Sequence, residues 1–271
     1  MYRIGWFSTG RDEAARNLLA AAVEAIKNGE VKAVIEFVFC SREPGESPES
    51  DAFIEQVERY GLPLVCYSYQ RFKARTPADT PPSGSFPSWR LTYDREVMSR
   101  LGDLCPDLCV LAGYMLIVGP EMCTRYTMIN LHPALPSGPT GTWQEVVWQL
   151  IEQKASETGV MMHLVTPELD RGPVASYCRF SIRGGEFDTL WSQMKGKSVS
   201  DIKKTDGECN PLFRLIRAEG LKREFPLIIA TIKAFSERRV RVEAGKVIDS
   251  HGKIIPGYDL TREIDRLVSK A

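Results

Sequence analysis

The chain predicts an α/β fold, a mainly parallel twisted sheet with helices on both faces and a small C-terminal hairpin. Short apolar runs alternate with amphipathic stretches in a βαβαβαβ order through the first half of the chain. Strands that alternate with helices imply a covered, mainly parallel sheet. Runs such as "PDLCVLAGYM" are apolar without interruption, as expected of a strand buried on both faces.

Residues 3 to 7 form the first strand, followed by the turn "STGRDE" and the alanine-rich amphipathic stretch "AARNLLAAAVEAIKNG". Gly29 closes that helix. "KAVIEFVFCS", rich in β-branched and aromatic residues, is the second strand, and "SDAFIEQVERYG" is a helix opening on Ser50 or Asp51. "LPLVCYS" makes a third strand, "YDREVMSRLGDL" a helix, and "PDLCVLAGYM" the fourth strand. "PEMCTRY" supplies a helical turn or two, "MINL" a fifth strand, and "TWQEVVWQLIEQKA" a helix with its apolar residues at helical spacing. "GVMMHLVT" and "VASYCRFSI" are strands flanking the turn "PELDRGP", and the remainder is mostly helical. Residues 75–88 and 194–211 are expected to be irregular loops, and "RRVRVEAGKVIDSHGKIIPGYD" a hairpin turning at Gly245. Residues 1–235 are taken as the catalytic domain and 236–271 as an extension packed on it.

A chain of 271 residues, 43% of them apolar, can bury a core of ordinary size. Basic and acidic residues balance at 35 each, so bulk charge selects neither nucleic acid nor a solvating role. The start "MYRIGWFSTG" lacks the apolar stretch of a secretory signal, and no apolar run approaches the roughly 18 residues that span a bilayer. Seven cysteines scattered through apolar segments suit reduced thiols, so a cytoplasmic location is expected. Small-molecule ligands are expected, without nucleic acid or membrane, and the sequence leaves a homodimer open.

Open α/β sheets bind ligands beyond the carboxyl ends of their strands, which draws the eye to "INLHPALP". Asn130 and His132 are two residues apart on a strand, so their side chains point to the same side. A carboxamide and an imidazole together can donate hydrogen bonds to an oxygen that gains charge when a carbonyl is attacked. Asp170, in the turn "PELDRGP", is a candidate proton acceptor, although a turn carboxylate ordinarily bonds its own backbone.

Taken together, "INLHPALP", "ETGVMMHLVTPELDRGPV" and the intervening helix resemble the folate-dependent formyltransferases. The pattern is nearest to the phosphoribosylglycinamide formyltransferase type, over residues 3 to about 180 and more weakly to 235. The resemblance implies a Rossmann-like formyltransferase fold and a catalytic triad of Asn130, His132 and Asp170. It implies 10-formyltetrahydrofolate as co-substrate, no metal, and the primary amine of glycinamide ribonucleotide as acceptor in purine biosynthesis. Asn130 and protonated His132 would stabilise the tetrahedral oxyanion, and Asp170 would keep His132 charged and help relay the amine proton.

By the same resemblance, "LAGYMLIV" lines the folate site, with main-chain groups of Met115, Leu116 and Val118 as contacts, and His163 matches a frequent family histidine. The family often has an arginine where Leu116 stands. For the substrate phosphate the resemblance points to Gly10, Arg11, Arg16, Asn17 and Arg90. Backbone amides at a helix N-terminus favour an anion, and Arg11 or Arg16 would add charge. Here "STGRDEAARNLL" departs from the family's glycine-serine-asparagine turn, and "ALPSGPTGTWQE" is about a residue shorter than the family form. By the resemblance, both segments would face the acceptor. Another phosphorylated amine or an amino sugar nucleotide therefore stays open as acceptor, as does a folate-binding module without catalysis. The register at "LKREFPLII" does not support a role for Glu224.

Overall fold

The computed structural model describes residues 1–76, 87–168 and 170–270. Its strands are β1 Tyr2–Ser8, β2 Ala33–Cys40, β3 Leu64–Cys66, β4 Leu108–Leu111, β5 Met128–His132, β6 Glu157–Leu164, β7 Val174–Ser181, β8 Val240–Glu243, β9 Lys246–Asp249 and β10 Tyr258–Asp259. The helices are α1 Glu13–Lys27, α2 Pro48–Arg59, α3 Tyr69–Arg75, α4 Ser88–Leu101, α5 Pro120–Arg125, α6 Trp143–Glu152, α7 Glu186–Gln193, α8 Val199–Thr205, α9 Pro211–Ser236 and α10 Thr261–Val268.

Eight strands form one sheet in the order β10-β7-β6-β5-β4-β1-β2-β3, and β8 and β9 pair separately as the expected hairpin. From β3 to β5 all neighbours are parallel, whereas β6 is antiparallel to both β5 and β7. The sheet is thus mainly parallel, as the alternation predicts. Both faces are covered: Ile4 and Trp6 of β1 join one apolar cluster with α1 and α9, while Phe7 joins another with Tyr93 and Val97 of α4. The chain leaves β1 toward β2 and β3, then returns to build β4 and β5 on the other side. That reversal makes a topological switch point at the carboxyl ends of β1 and β4, where such sheets bind ligands.

Several boundaries differ from expectation. Helix α2 opens at Pro48, because Ser47 caps it by accepting the Ser50 amide and proline suits the first helical position. Helix α4 starts at Ser88 rather than at Tyr93, without a side-chain cap; its early turn is instead held by buried Arg90. The short α3 was not anticipated, and 194–211 is not one loop: it contains α8, whose Ile202 is buried beside Leu212 and Phe213. The irregular segment expected at 75–88 falls largely on 77–86, outside the described residues. No helix among the described residues is long and apolar enough to cross a membrane.

Candidate active site

Strand β5 carries Asn130 and His132 to the carboxyl edge of the sheet, next to β4. In the antiparallel register with β6, Asn130 lies opposite His163 and His132 opposite Met161. Directly paired residues share a face, so both imidazoles and the carboxamide stand on one side of the sheet. The His132 and His163 rings are edge to face, with centroids 6.3 Å apart. Both histidines are buried, while Asn130 is half-buried.

Asp170 reaches this pair from the turn joining β6 to β7. The Leu164 amide donates to the Pro173 carbonyl at 2.8 Å and closes the turn. Asp170 adopts a left-handed backbone, φ 54°, which aspartate tolerates better than most residues. Gly172 is obligatory for another reason: a Cβ there would lie 1.8 Å from the Leu164 carbonyl oxygen. The turn thereby holds the Asp170 carboxylate between the two rings. Its Oδ2 is 3.6 Å from His132 Nδ1 and its Oδ1 3.4 Å from His163 Nε2. These are ion-pair separations, longer than well-made hydrogen bonds, as is common in sites without substrate.

The opposite nitrogen of each ring also meets an acceptor. His132 Nε2 is 2.8 Å from the Pro139 carbonyl oxygen, and His163 Nδ1 is 2.9 Å from that of Leu164. Carbonyl oxygens only accept, so each of these nitrogens carries a hydrogen. Burial acts to raise the Asp170 carboxyl, but the close approach of His163 and the charges of His132 and His163 outweigh it, and the carboxyl is held below its usual range. The carboxylate is therefore ionised at neutral pH, between two imidazoles.

The loop after β4 forms the adjoining wall. Its Met115 amide donates to Thr9 Oγ1 at 3.0 Å, the Thr9 amide donates to the Gly113 carbonyl, and Arg90 Nε donates to the Ile117 carbonyl at 2.8 Å. The side chains of Met115 and Ile117 are exposed, Leu116 is half-buried, and Val118 is buried. The result is an apolar surface on a backbone pinned from beneath.

Of the five residues expected to meet a phosphate, the three arginines are each ion-paired with a carboxylate. Gly10 has φ 61° and shapes the turn after β1. Arg11 is exposed beside Asp12, and Arg16 is ion-paired with Glu49. Asn17 lies on an exposed face one turn into α1, because the helix already begins at Glu13. Arg90 is only 4% exposed and paired with Asp94. Glu224 is buried against Arg217. Sequence reading overlooked the carboxylate partners Asp12, Glu49 and Asp94 and the Pro139 carbonyl. The first is signalled by an aspartate just before a helix, and Asp94 by its four-residue spacing from Arg90; Glu49 and the carbonyl are brought in by tertiary folding.

Comparison with known proteins bears on this arrangement. Residues 13–186 match the family model described as formyl transferase. The phosphoribosylglycinamide formyltransferase of Escherichia coli is 29% identical over 171 residues, 62% of this chain and 69% of that protein. A formyltetrahydrofolate deformylase of Haemophilus influenzae is 25% identical over 126 residues, 46% of this chain and 39% of that one. The crystal structure of glycinamide ribonucleotide transformylase 1 from Symbiobacterium toebii superposes with a TM-score of 0.60, at 23% identity, over 92% of this chain and 94% of that one. The family match spans well over half of the residues and includes Asn130, His132 and Asp170. The chain belongs to the formyl transferase family.

Proposed function

We propose that this protein transfers a formyl group from 10-formyltetrahydrofolate to a primary amine. One observation carries the reading: Asp170 stands within ion-pair distance of His132, on the face of the sheet that Asn130 also occupies. The amine nitrogen attacks the formyl carbon, and the carbonyl oxygen becomes an alkoxide. Asn130 and the His132 Nε2–H donate hydrogen bonds to that oxygen. Collapse of the tetrahedral species breaks the bond to N10, giving the formamide and tetrahydrofolate. Asp170, ionised beside His132, orients that ring and relays the proton that the amine loses and N10 gains.

Among the described residues no group hydrogen-bonds the Asn130 carboxamide, so it is free to turn toward an incoming oxygen. His132 Nε2 is held by the Pro139 carbonyl, and the oxyanion must share or displace that contact. The exposed apolar side chains of Met115 and Ile117 suit the face of a pteridine, with main-chain groups of Met115, Leu116 and Val118 at its edge. His163, on the far side of Asp170, borders the same space.

Glycinamide ribonucleotide is the first acceptor to test, because the resemblance and the names of relatives both nominate it. A second reading follows from the deformylase relative: with water as nucleophile, the same three side chains would release formate. An assay of tetrahydrofolate formation, with and without a panel of amines, separates the two. Amine-dependent tetrahydrofolate with a formylated amine supports transfer; amine-independent release of formate supports hydrolysis. Tight binding of the donor without turnover would leave a folate-binding module.

A further inference from the structure

Two of the seven cysteines face each other across neighbouring strands, beside the wall of the site. Cys40 ends β2 and Cys66 ends β3, both are free thiols, and they are register partners in that parallel pair. The Tyr67 amide donates to the Cys40 carbonyl at 3.0 Å, so the ladder is intact to the last residue of β2. Neighbouring strands lie about 4.8 Å apart, which puts the two Cα atoms inside the roughly 4.4–6.8 Å window of a disulfide. By contrast, Cys109 stands opposite Gly5 and Met128, and Cys178 opposite Val160.

Each thiol alters the other. The close approach of Cys66 holds the Cys40 thiol below its usual range against the effect of burial, while Cys40 and burial together push the Cys66 thiol up. Cys66 is half-buried and open to a small oxidant, whereas Cys40 is fully buried and needs only its neighbour as a target. Cys40 is also tied to the wall. Its Sγ donates weakly to the Thr9 carbonyl at 3.9 Å, and the next residue, Ser41, shares a 3.0 Å hydrogen bond with Thr9 Oγ1. Thr9 Oγ1 in turn accepts the Met115 amide at 3.0 Å. Strand β3 is three residues long and ends the sheet, so it can move toward β2 without disturbing another strand.

We propose that Cys40 and Cys66 are a modification site, at which hydrogen peroxide forms a reversible disulfide that loosens the wall carrying Met115. The Cys66 sulfur takes one oxygen as the peroxide O–O bond breaks, giving a sulfenic acid and one water. The Cys40 sulfur then attacks that of Cys66, the S–O bond breaks, and the departing hydroxide takes the Cys40 proton as a second water. Two electrons thus pass from the two thiols to the peroxide. Closing the bond turns Cys40 Sγ away from the Thr9 carbonyl and draws on the chain that runs from Ser41 through Thr9 to Met115.

The full chain is treated with hydrogen peroxide, denatured and alkylated, with Cys66→Ser and Cys40→Ala in parallel so that a folding defect in one variant does not decide the result. The wild type should lose two of its seven alkylatable thiols, regain both with dithiothreitol, and yield linked peptides containing Cys40 and Cys66. Neither variant should show that reversible loss. Absence of the link, or a reversible loss of two thiols that persists in both variants, overturns the proposal. Hydrogen exchange at the Met115 amide is then compared in the reduced and oxidised wild type. It should be about fivefold faster after oxidation, as expected when one net hydrogen bond is lost. Exchange at an unchanged rate overturns the coupling of the disulfide to the wall. Neither measurement uses a formyl donor or an amine, so both stay decisive whether or not the formyl-transfer reading holds.

Discussion

Asp170 is the residue on which the site turns, because one carboxylate serves two imidazoles from a strained left-handed position. Its carboxyl is held below the usual range, near 3.9 for an unfolded aspartate, by His163 and His132 against the opposing effect of burial. A depressed carboxyl contributes stability that is fully present above the unfolded value and is lost as pH falls through the folded one. The stability advantage of the wild type over Asp170→Asn should therefore hold steady from about pH 5.5 to 4.5 and shrink below about pH 4. Urea unfolding of both proteins across that range checks it; an advantage that grows on acidification would show that the carboxyl is not ionised in the fold. The residue types of the site were legible in "INLHPALP" and "LDRGP", since period-two spacing on a strand puts Asn130 and His132 on one side. The contact of His132 with Pro139 was not, because a loop carbonyl leaves no mark in residue type.

At the scale of elements, the β6–β7 turn and the loop after β4 convert chain geometry into chemistry. Gly172 lets the turn cross Leu164 so closely that any side chain would strike its carbonyl. Gly172→Ala should destabilise the fold by about 3 kcal/mol, at the upper end of overpacking costs, and displace Asp170 from the histidines. Thermal unfolding and the rate of tetrahydrofolate formation measure the two effects; a variant as stable and as active as the wild type would contradict this geometry. The strands read well in advance because parallel central strands are continuous apolar runs. Helix starts read poorly. Ser47 and Pro48 set the start of α2 one turn ahead of the apolar pattern, and the early turn of α4 holds buried Arg90, whose Nε donates to the Ile117 carbonyl, a tertiary contact that periodicity does not encode.

Over the whole molecule, the buried Arg90–Asp94 pair links α4 to the wall of the site. Arg90 Nε holds the Ile117 carbonyl, and Asp94 Oδ2 accepts the Gly119 amide at 2.7 Å. The guanidinium and Asp94 Oδ1 meet at ion-pair distance without good hydrogen-bond alignment, and burial, more than the attraction of Arg90, sets the direction in which the Asp94 carboxyl moves, upward. Breaking such a pair leaves an uncompensated buried charge, so Arg90→Met should cost about 3–5 kcal/mol in urea unfolding. A loss of only a few tenths of a kcal/mol would mean that Arg90 is free for a ligand after all. Fold class was legible from the alternation of elements across the entire chain. The pairing of Arg16 was not, because it depends on Glu49, which folding brings to it, whereas Asp12 and Asp94 lie one and four residues from Arg11 and Arg90.

Single-turnover transfer of a carbon-13 formyl label, by the wild type and by Asn130→Ala with donor affinity measured alongside, tests the chemistry most directly. The wild type should carry the label into a formamide, and Asn130→Ala should do so about 10²- to 10³-fold more slowly with the donor bound as tightly as before. Label transferred by Asn130→Ala at the wild-type rate, or released by the wild type as formate whether or not an amine is present, would contradict oxyanion stabilisation by Asn130 in formyl transfer to an amine.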